Sequence, residues 1–247
     1  MRVPRLAAVL PPALALVCAA APPADPWRQR MELAGEPGLA ACSAAIEGAG
    51  ENGANLAAAY LNRGLALRRA DRIAAALADY DAALRLRPDF AEALLDRAAA
   101  YVIDHQPARA LADYDAALKL RPGWAEAWYG RGIVQRQLGE PDRAIADHTR
   151  ALALKPGFVA AIVDRGIAFY EKRDYARAAA ENTAAIRLQP DLAEAFNNRA
   201  LSWLRLARYD LAQPDFDRTI RLHQNYGNAL ISRSLGPIEN GPLPRVP

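Results

Sequence analysis

Cysteine is almost missing from this chain. Cys18 and Cys42 are the only two among 247 residues, too few for a fold stapled by disulfides. Histidine is nearly as scarce, with His105, His148 and His223 standing far apart and none at a metal-ligand spacing from another. Aromatic residues reach only 7% against 52% apolar residues overall, with alanine abundant, which suits helices packed at close range. Nor is there a strong excess of charge. The formal value is +3, and removing Arg2 and Arg5 with residues 1–24 lowers it to +1, which leaves no electrostatic case for nucleic acid or an anionic membrane surface. Beyond the first 24 residues no apolar run is long enough to span a bilayer. No nucleophile elbow, phosphate-cradling glycine loop, zinc-ligand cluster or dinucleotide fingerprint occurs. The Asp-x-Asp pairs, such as Asp79 and Asp81, face different sides of a helix and make poor acid–base partners. No catalytic residue set, cofactor site or metal site is therefore expected.

The N-terminus is built differently. Arg2 and Arg5 precede an apolar run from Leu6 to Val17, and small residues follow up to polar Asp25. This is the layout of a secretory signal peptide over residues 1–24, with cleavage after Ala21 or Ala24. Cys18 raises the rival reading of a lipid-anchored form, but Leu16 and Val17 are bulkier than the residues that precede a lipidated cysteine. The expectation is a periplasmic or secreted protein with no stable membrane insertion after cleavage. Cys42 would then stand alone, as a small buried hydrophobe or as a reactive thiol.

From Ala57 to Tyr226 one pattern returns every 34 residues without a register shift. Arg63, Arg97, Arg131, Arg165 and Arg199 fill the seventh place of five units, and Ala76, Ala110, Ala144, Ala178 and Ala212 the twentieth. A period of this size signals stacked repeats. Apolar residues three and four apart predict two helices of about 13 residues per unit, joined by a short polar break. Pro107 and Pro141 stand where a second helix begins, and Pro88, Pro122, Pro156 and Pro190 stand just past its end. Small residues at the eighth and twentieth places let helix axes approach.

The seventh-place arginines are matched by acids at the twenty-third: Asp79, Asp113, Asp147, Glu181 and Asp215. A ladder of ion pairs between first and second helices is the structural reading, and a basic binding stripe the functional one. The twenty-fourth place holds Tyr80, Tyr114 and Phe216, but His148 and Asn182 in the third and fourth units. Gln135 likewise interrupts the eleventh place, and since buried polar groups need partners, a Gln135–His148 bond is expected. Pro214 sits inside the last expected second helix, where it should kink it.

These spacings resemble the tetratricopeptide repeat family: a large residue at the fourth place (Tyr60, Leu94, Trp128, Ile162, Phe196), Gly or Ala at the eighth, Ala at the twentieth and twenty-seventh, and Pro at the thirty-second. The resemblance covers 57–226 and implies an all-α, right-handed α-solenoid of helix-turn-helix hairpins with five repeats: 57–90, 91–124, 125–158, 159–192 and 193–226. Residues 25–56 form a lead-in with a capping half-repeat, 227–235 a capping helix, and 236–247 a disordered tail.

By the same resemblance the first helices line a concave groove. Its residues would be Leu61, Leu65, Arg68 and Arg69, then Leu95, Val102 and Ile103. The third repeat adds Tyr129, Ile133, Arg136 and Gln137, and the fourth Val163, Ile167, Tyr170 and Glu171. The fifth adds Asn197, Leu201, Leu204 and Arg205. This apolar set with a few charges suits a protein or peptide ligand, or else packs against adjacent first helices. The carboxylate-binding pattern of some family members is not matched. The expected function is an exported, non-enzymatic scaffold that binds a protein or peptide without a cofactor. The alternatives are an accessory subunit of a cell-envelope enzyme, or such an enzyme itself, with an unrecognised site. Self-association through the groove or the terminal helices is a third reading.

Overall fold

Every repeat turns the same way. The residue at the fifteenth place adopts a left-handed conformation five times, in Asp71, His105, Gly139, Arg173 and Ala207, with φ between 54° and 76°. The next residue donates its N–H back five positions, as Arg72 does to Leu67 at 2.9 Å and Arg208 to Trp203 at 2.9 Å. This closes the first helix in a Schellman motif and reverses the chain within a few residues.

The structure is a computed structural model that describes residues 36–48 and 53–222. The expected signal segment, the start of the lead-in, the capping helix and the tail lie outside the described residues. All regular structure among these residues is helical, and the chain divides into two units, Met1–Pro122 and Gly123–Pro247. The first holds α1 (Glu36–Gly48), α2 (Gly53–Arg69), α3 (Ile73–Leu86), α4 (Ala91–Ile103) and α5 (Pro107–Leu120). The second holds α6 (Ala125–Gln137), α7 (Pro141–Leu154), α8 (Val159–Glu171), α9 (Tyr175–Leu188), α10 (Ala193–Arg205) and α11 (Tyr209–Leu222). Within each unit every helix packs on the next in sequence. First helices also touch one repeat apart, α2 on α4 in the first unit and α6 on α8 and α8 on α10 in the second. This serial stacking of hairpins is the α-solenoid arrangement.

Helices α5 and α7 begin at Pro107 and Pro141. The residues before the repeat prolines are extended, with φ near −140° at Arg87 and Lys155, because a following proline disfavours the helical region. Helix α11 continues through Pro214. The twentieth-place alanines are buried, Ala76, Ala110, Ala144 and Ala178 at 0% exposure. The eighth-place glycines meet the twenty-fourth place: a Cβ on Gly64 would lie 2.6 Å from the Tyr80 ring, and one on Gly132 would lie 2.7 Å from the His148 ring. Cys42 is buried and disulfide-bonded rather than a lone thiol. The expectation of a lone thiol assumed loss of residues 1–24, which lie outside the described residues.

The ion-pair ladder forms in all five repeats. Nε and Nη2 of Arg63, Arg97 and Arg199 donate to both carboxylate oxygens of Asp79, Asp113 and Asp215 at 2.7 Å. Arg131 holds Asp147 the same way at 2.8 Å. In the fourth repeat only Nη2 of Arg165 reaches Glu181, at 2.9 Å. The remaining Nη1 extends to the second helix of the preceding hairpin. Arg97 donates to Asp81 at 2.6 Å, Arg63 to Ser43 at 3.3 Å, Arg165 to Thr149 at 3.1 Å and Arg199 to Thr183 at 3.2 Å. One guanidinium therefore ties together three helices, a task that needs its rigid fork of donors.

Candidate functional site

The expected groove positions divide by depth. Leu61, Leu65, Leu95, Val163 and Asn197 are buried, so their side chains pack within their own units. In the first unit Arg68 and Val102 are half-buried, while Arg69 and Ile103 are exposed. In the second unit Tyr129, Ile133, Arg136, Ile167, Tyr170, Leu201 and Leu204 are half-buried, and Gln137, Glu171 and Arg205 are exposed. The second unit thus presents the broader half-open apolar face.

Fixed polar contacts hold that face. The Tyr129 hydroxyl donates to Asp164 Oδ2 at 2.7 Å, and Arg136 Nη1 to Glu171 Oε1 at 2.8 Å. Both bonds tie α6 to α8. Burial, with Asp164 beside it, lifts the Tyr129 hydroxyl well above the usual phenol range, so it stays a neutral donor. Burial, with Asp164 nearby, also raises the Glu194 carboxyl. On the next pair of helices Arg205 donates Nη2 and Nε to the Tyr175 hydroxyl at 3.0 and 3.2 Å, and the Tyr175 ring stands edge-on to Tyr170 at 5.1 Å.

Between α8, α9 and α10 the same unit contains a cavity of about 220 Å³. Its apolar wall is Ile167, Tyr170 and Leu201, three of the expected groove residues, with Gly166 and Ser202 beside them. Asn182 and Asn198 complete the lining. Asn182 stands at the twenty-fourth place, where Tyr80 and Tyr114 stand in the first unit. Its Nδ2 donates to the Ala178 carbonyl at 2.8 Å, which sets the amide orientation. Its Oδ1, on a side chain only 1% exposed, and the buried Asn198 Nδ2 have no hydrogen-bond partner among the described residues. Sequence reading missed Gly166, Asn182, Asn198 and Ser202 as site residues, although the break in the twenty-fourth-place pattern pointed to Asn182.

The other break, at His148, is a packing feature. The ring is fully buried, 5.6 Å from the Tyr129 ring, and neither nitrogen has a partner among the described residues. Gln135 Oε1 is also unpaired, so the expected Gln135–His148 bond does not form. The ring lies against Gly132 and Tyr129, about one turn away from Gln135 on α6. Burial first, then Arg136 and Arg165, push its pKa down to about 4, so it is neutral at pH 7. Among the described residues no cluster of His, Cys, Asp and Glu could hold a metal, and no helix is long and apolar enough to cross a membrane.

Two tetratricopeptide repeat models match the chain, one over residues 125–158 and the other over 61–123 and 163–226. No curated protein matches it. Among solved structures it is similar to YrrB, described as having an unusual peptide-binding site, at 24% identity with a TM-score of 0.63, over 78% of this chain and 98% of that one. It is also similar to a tetratricopeptide repeat protein from Parabacteroides merdae, at 21% identity and a TM-score of 0.67, over 80% of each chain. A third similar structure is MamA from Desulfovibrio magneticus, at 20% identity and a TM-score of 0.63, over 69% of this chain and 96% of that one. At these identities the likeness concerns the fold.

Proposed function

Because the chain belongs to the tetratricopeptide repeat family, we propose that it is a non-catalytic scaffold that docks a protein or peptide on the first-helix face of its second unit. The observation that carries the reading is the half-open apolar face of Ile133, Ile167, Tyr170, Leu201 and Leu204, into which the cavity opens a recess. Rigid side chains held at fixed spacing lower the ordering cost of binding, and a tyrosine over a recess is the kind of anchor that dominates such interfaces. The likeness to a peptide-binding protein, YrrB, supports the same reading. Export to the periplasm or beyond is part of the proposal. It rests on residues 1–24, and a mature N-terminus at Pro22 or Asp25 is its check.

The docking test is peptide-display selection against the full chain, followed by titration of the selected peptide. Tyr170→Ala should weaken binding by about tenfold or more with little change in the melt. Leu154→Ala, at the exposed end of α7, should leave binding unchanged. Equal affinities for wild type and Tyr170→Ala would sink the assignment. Tyr129 is unsuitable as a probe, because its bond to Asp164 and its ring contact with His148 make it part of the packing.

A further inference from the structure

The cavity lies where another repeat holds a ring. In the first unit Tyr80, at the twenty-fourth place, presses its ring against Gly64 at the eighth, where a Cβ would come within 2.6 Å. The ring shares a core cluster with Leu65 at the ninth place, and its hydroxyl end is close enough to act on the Arg68 guanidinium at the twelfth. A ring at the twenty-fourth place therefore runs along the eighth, ninth and twelfth places of its own repeat. In the fourth repeat those three places are Gly166, Ile167 and Tyr170, and all of them line the cavity together with Asn182. Asparagine is too short to fill the space a tyrosine ring would take, and α10 supplies the rest of the lining through Asn198, Leu201 and Ser202.

What this leaves is an apolar recess. Asn182 Nδ2 donates to the Ala178 carbonyl and the Ser202 hydroxyl to the Asn198 carbonyl, both at 2.8 Å. The unpaired Asn182 Oδ1 and Asn198 Nδ2 are shut off from solvent, so neither serves a ligand. A cavity of about 150 Å³ with aliphatic and aromatic walls stays dry and takes up benzene, and this one measures about 220 Å³. We propose that the recess receives a phenyl ring: the side chain of a phenylalanine in the docked polypeptide, standing in for the ring that the fourth repeat lacks. Contact with the Tyr170 ring favours an aromatic over a saturated group of the same size. A tyrosine would bring in a hydroxyl that the apolar wall leaves unpaired. The assignment rests on the docking reading above and names the side chain that anchors the partner.

Fragments test the recess without any partner. Toluene reproduces the phenylalanine side chain, methylcyclohexane saturates its ring, and p-cresol adds the tyrosine hydroxyl. Titrated into the full chain with ¹³C-labelled methyl groups, toluene should saturate and move the Ile167 and Leu201 methyl signals upfield through its ring current. Methylcyclohexane should need roughly fivefold higher concentrations, and p-cresol roughly tenfold higher. Asn182→Tyr, which puts back the ring found at this place in the first unit, should fold with an undiminished melt and abolish the toluene response. Equal affinities for toluene and methylcyclohexane in the wild type would mean apolar filling only, and no saturable response would mean the recess holds water only. Either result overturns the proposal. In the docking assay, changing the phenylalanine of a selected peptide to alanine should weaken binding about tenfold to the wild type and hardly at all to Asn182→Tyr. Selected peptides that bind through Tyr170 yet carry no phenylalanine would overturn the ring assignment and leave the docking face standing.

Discussion

The two units build the same hairpin but fill its centre differently. In the first, Tyr80 and Tyr114 occupy the twenty-fourth place at 0% and 4% exposure. In the second, the corresponding places of the first two hairpins hold His148 and Asn182, equally buried but smaller and polar. A buried aromatic ring fills its space and supplies much of a core's stabilisation. The substitutes leave unpaired atoms in both hairpins and a cavity in one. Since the backbone turns and the small eighth-place residues are common to both units, the twenty-fourth place is one point at which their packing differs.

Moving the ring is the most direct way to break that contrast. Tyr80→Asn places an asparagine beside Gly64, the same neighbour relation that Asn182 has with Gly166. It should destabilise the chain by about 3–5 kcal/mol, as expected for removing a large buried aromatic. Asn182→Tyr should stabilise it. Urea unfolding that showed equal and small changes for both would mean the twenty-fourth place carries no special weight in the first unit.

Acid sharpens the contrast from the other side. A histidine whose folded pKa is about 4 binds its proton more readily when unfolded, near the ordinary value of about 6.5. Between those values the unfolded chain holds more protons, so stability falls as pH drops from about 6.5 to 4 and its contribution levels off below. The loss attributable to His148 is about 3 kcal/mol. Melts in this range should show it in the wild type and lose it in His148→Tyr. A slope that survives the substitution would assign it to other groups.

How much of this was legible beforehand follows from the kind of feature. The hairpins, their proline boundaries and the Arg–acid ladder were legible because each repeats the same residue type at the same place. The left-handed turn at the fifteenth place was not, since Asp, His, Gly, Arg and Ala all occupy it and hydrogen bonds rather than glycine enforce it. The third arm of each arginine was hidden for a similar reason: its acceptor changes between Ser43, Asp81, Thr149 and Thr183. Shared polarity suggested a Gln135–His148 pair, but two buried groups one turn apart need not meet. The recess was the hardest to foresee, because a void depends on whether neighbours collapse into it. Asn182 could be singled out from the pattern, but not the space above it.

The clamps offer the finest test, because the second unit has the one clamp of the five that closes incompletely. Aspartate at the twenty-third place receives both Nε and Nη2, whereas Glu181, longer by one methylene, meets only Nη2 and leaves the buried Arg165 Nε unpaired. A two-point fork is stronger than a single contact, and an unpaired buried donor carries its own cost. Glu181→Asp should therefore restore the geometry of the other four repeats and raise stability by about 1 kcal/mol, which corresponds to a few degrees in Tm for a chain of this size. The mirror change, Asp113→Glu in the first unit, should lower Tm by a similar amount. If both substitutions moved Tm in the same direction, carboxylate length would not be what distinguishes the fourth clamp. The weaker Arg165 pair would then have to be traced to α8 and α9 themselves.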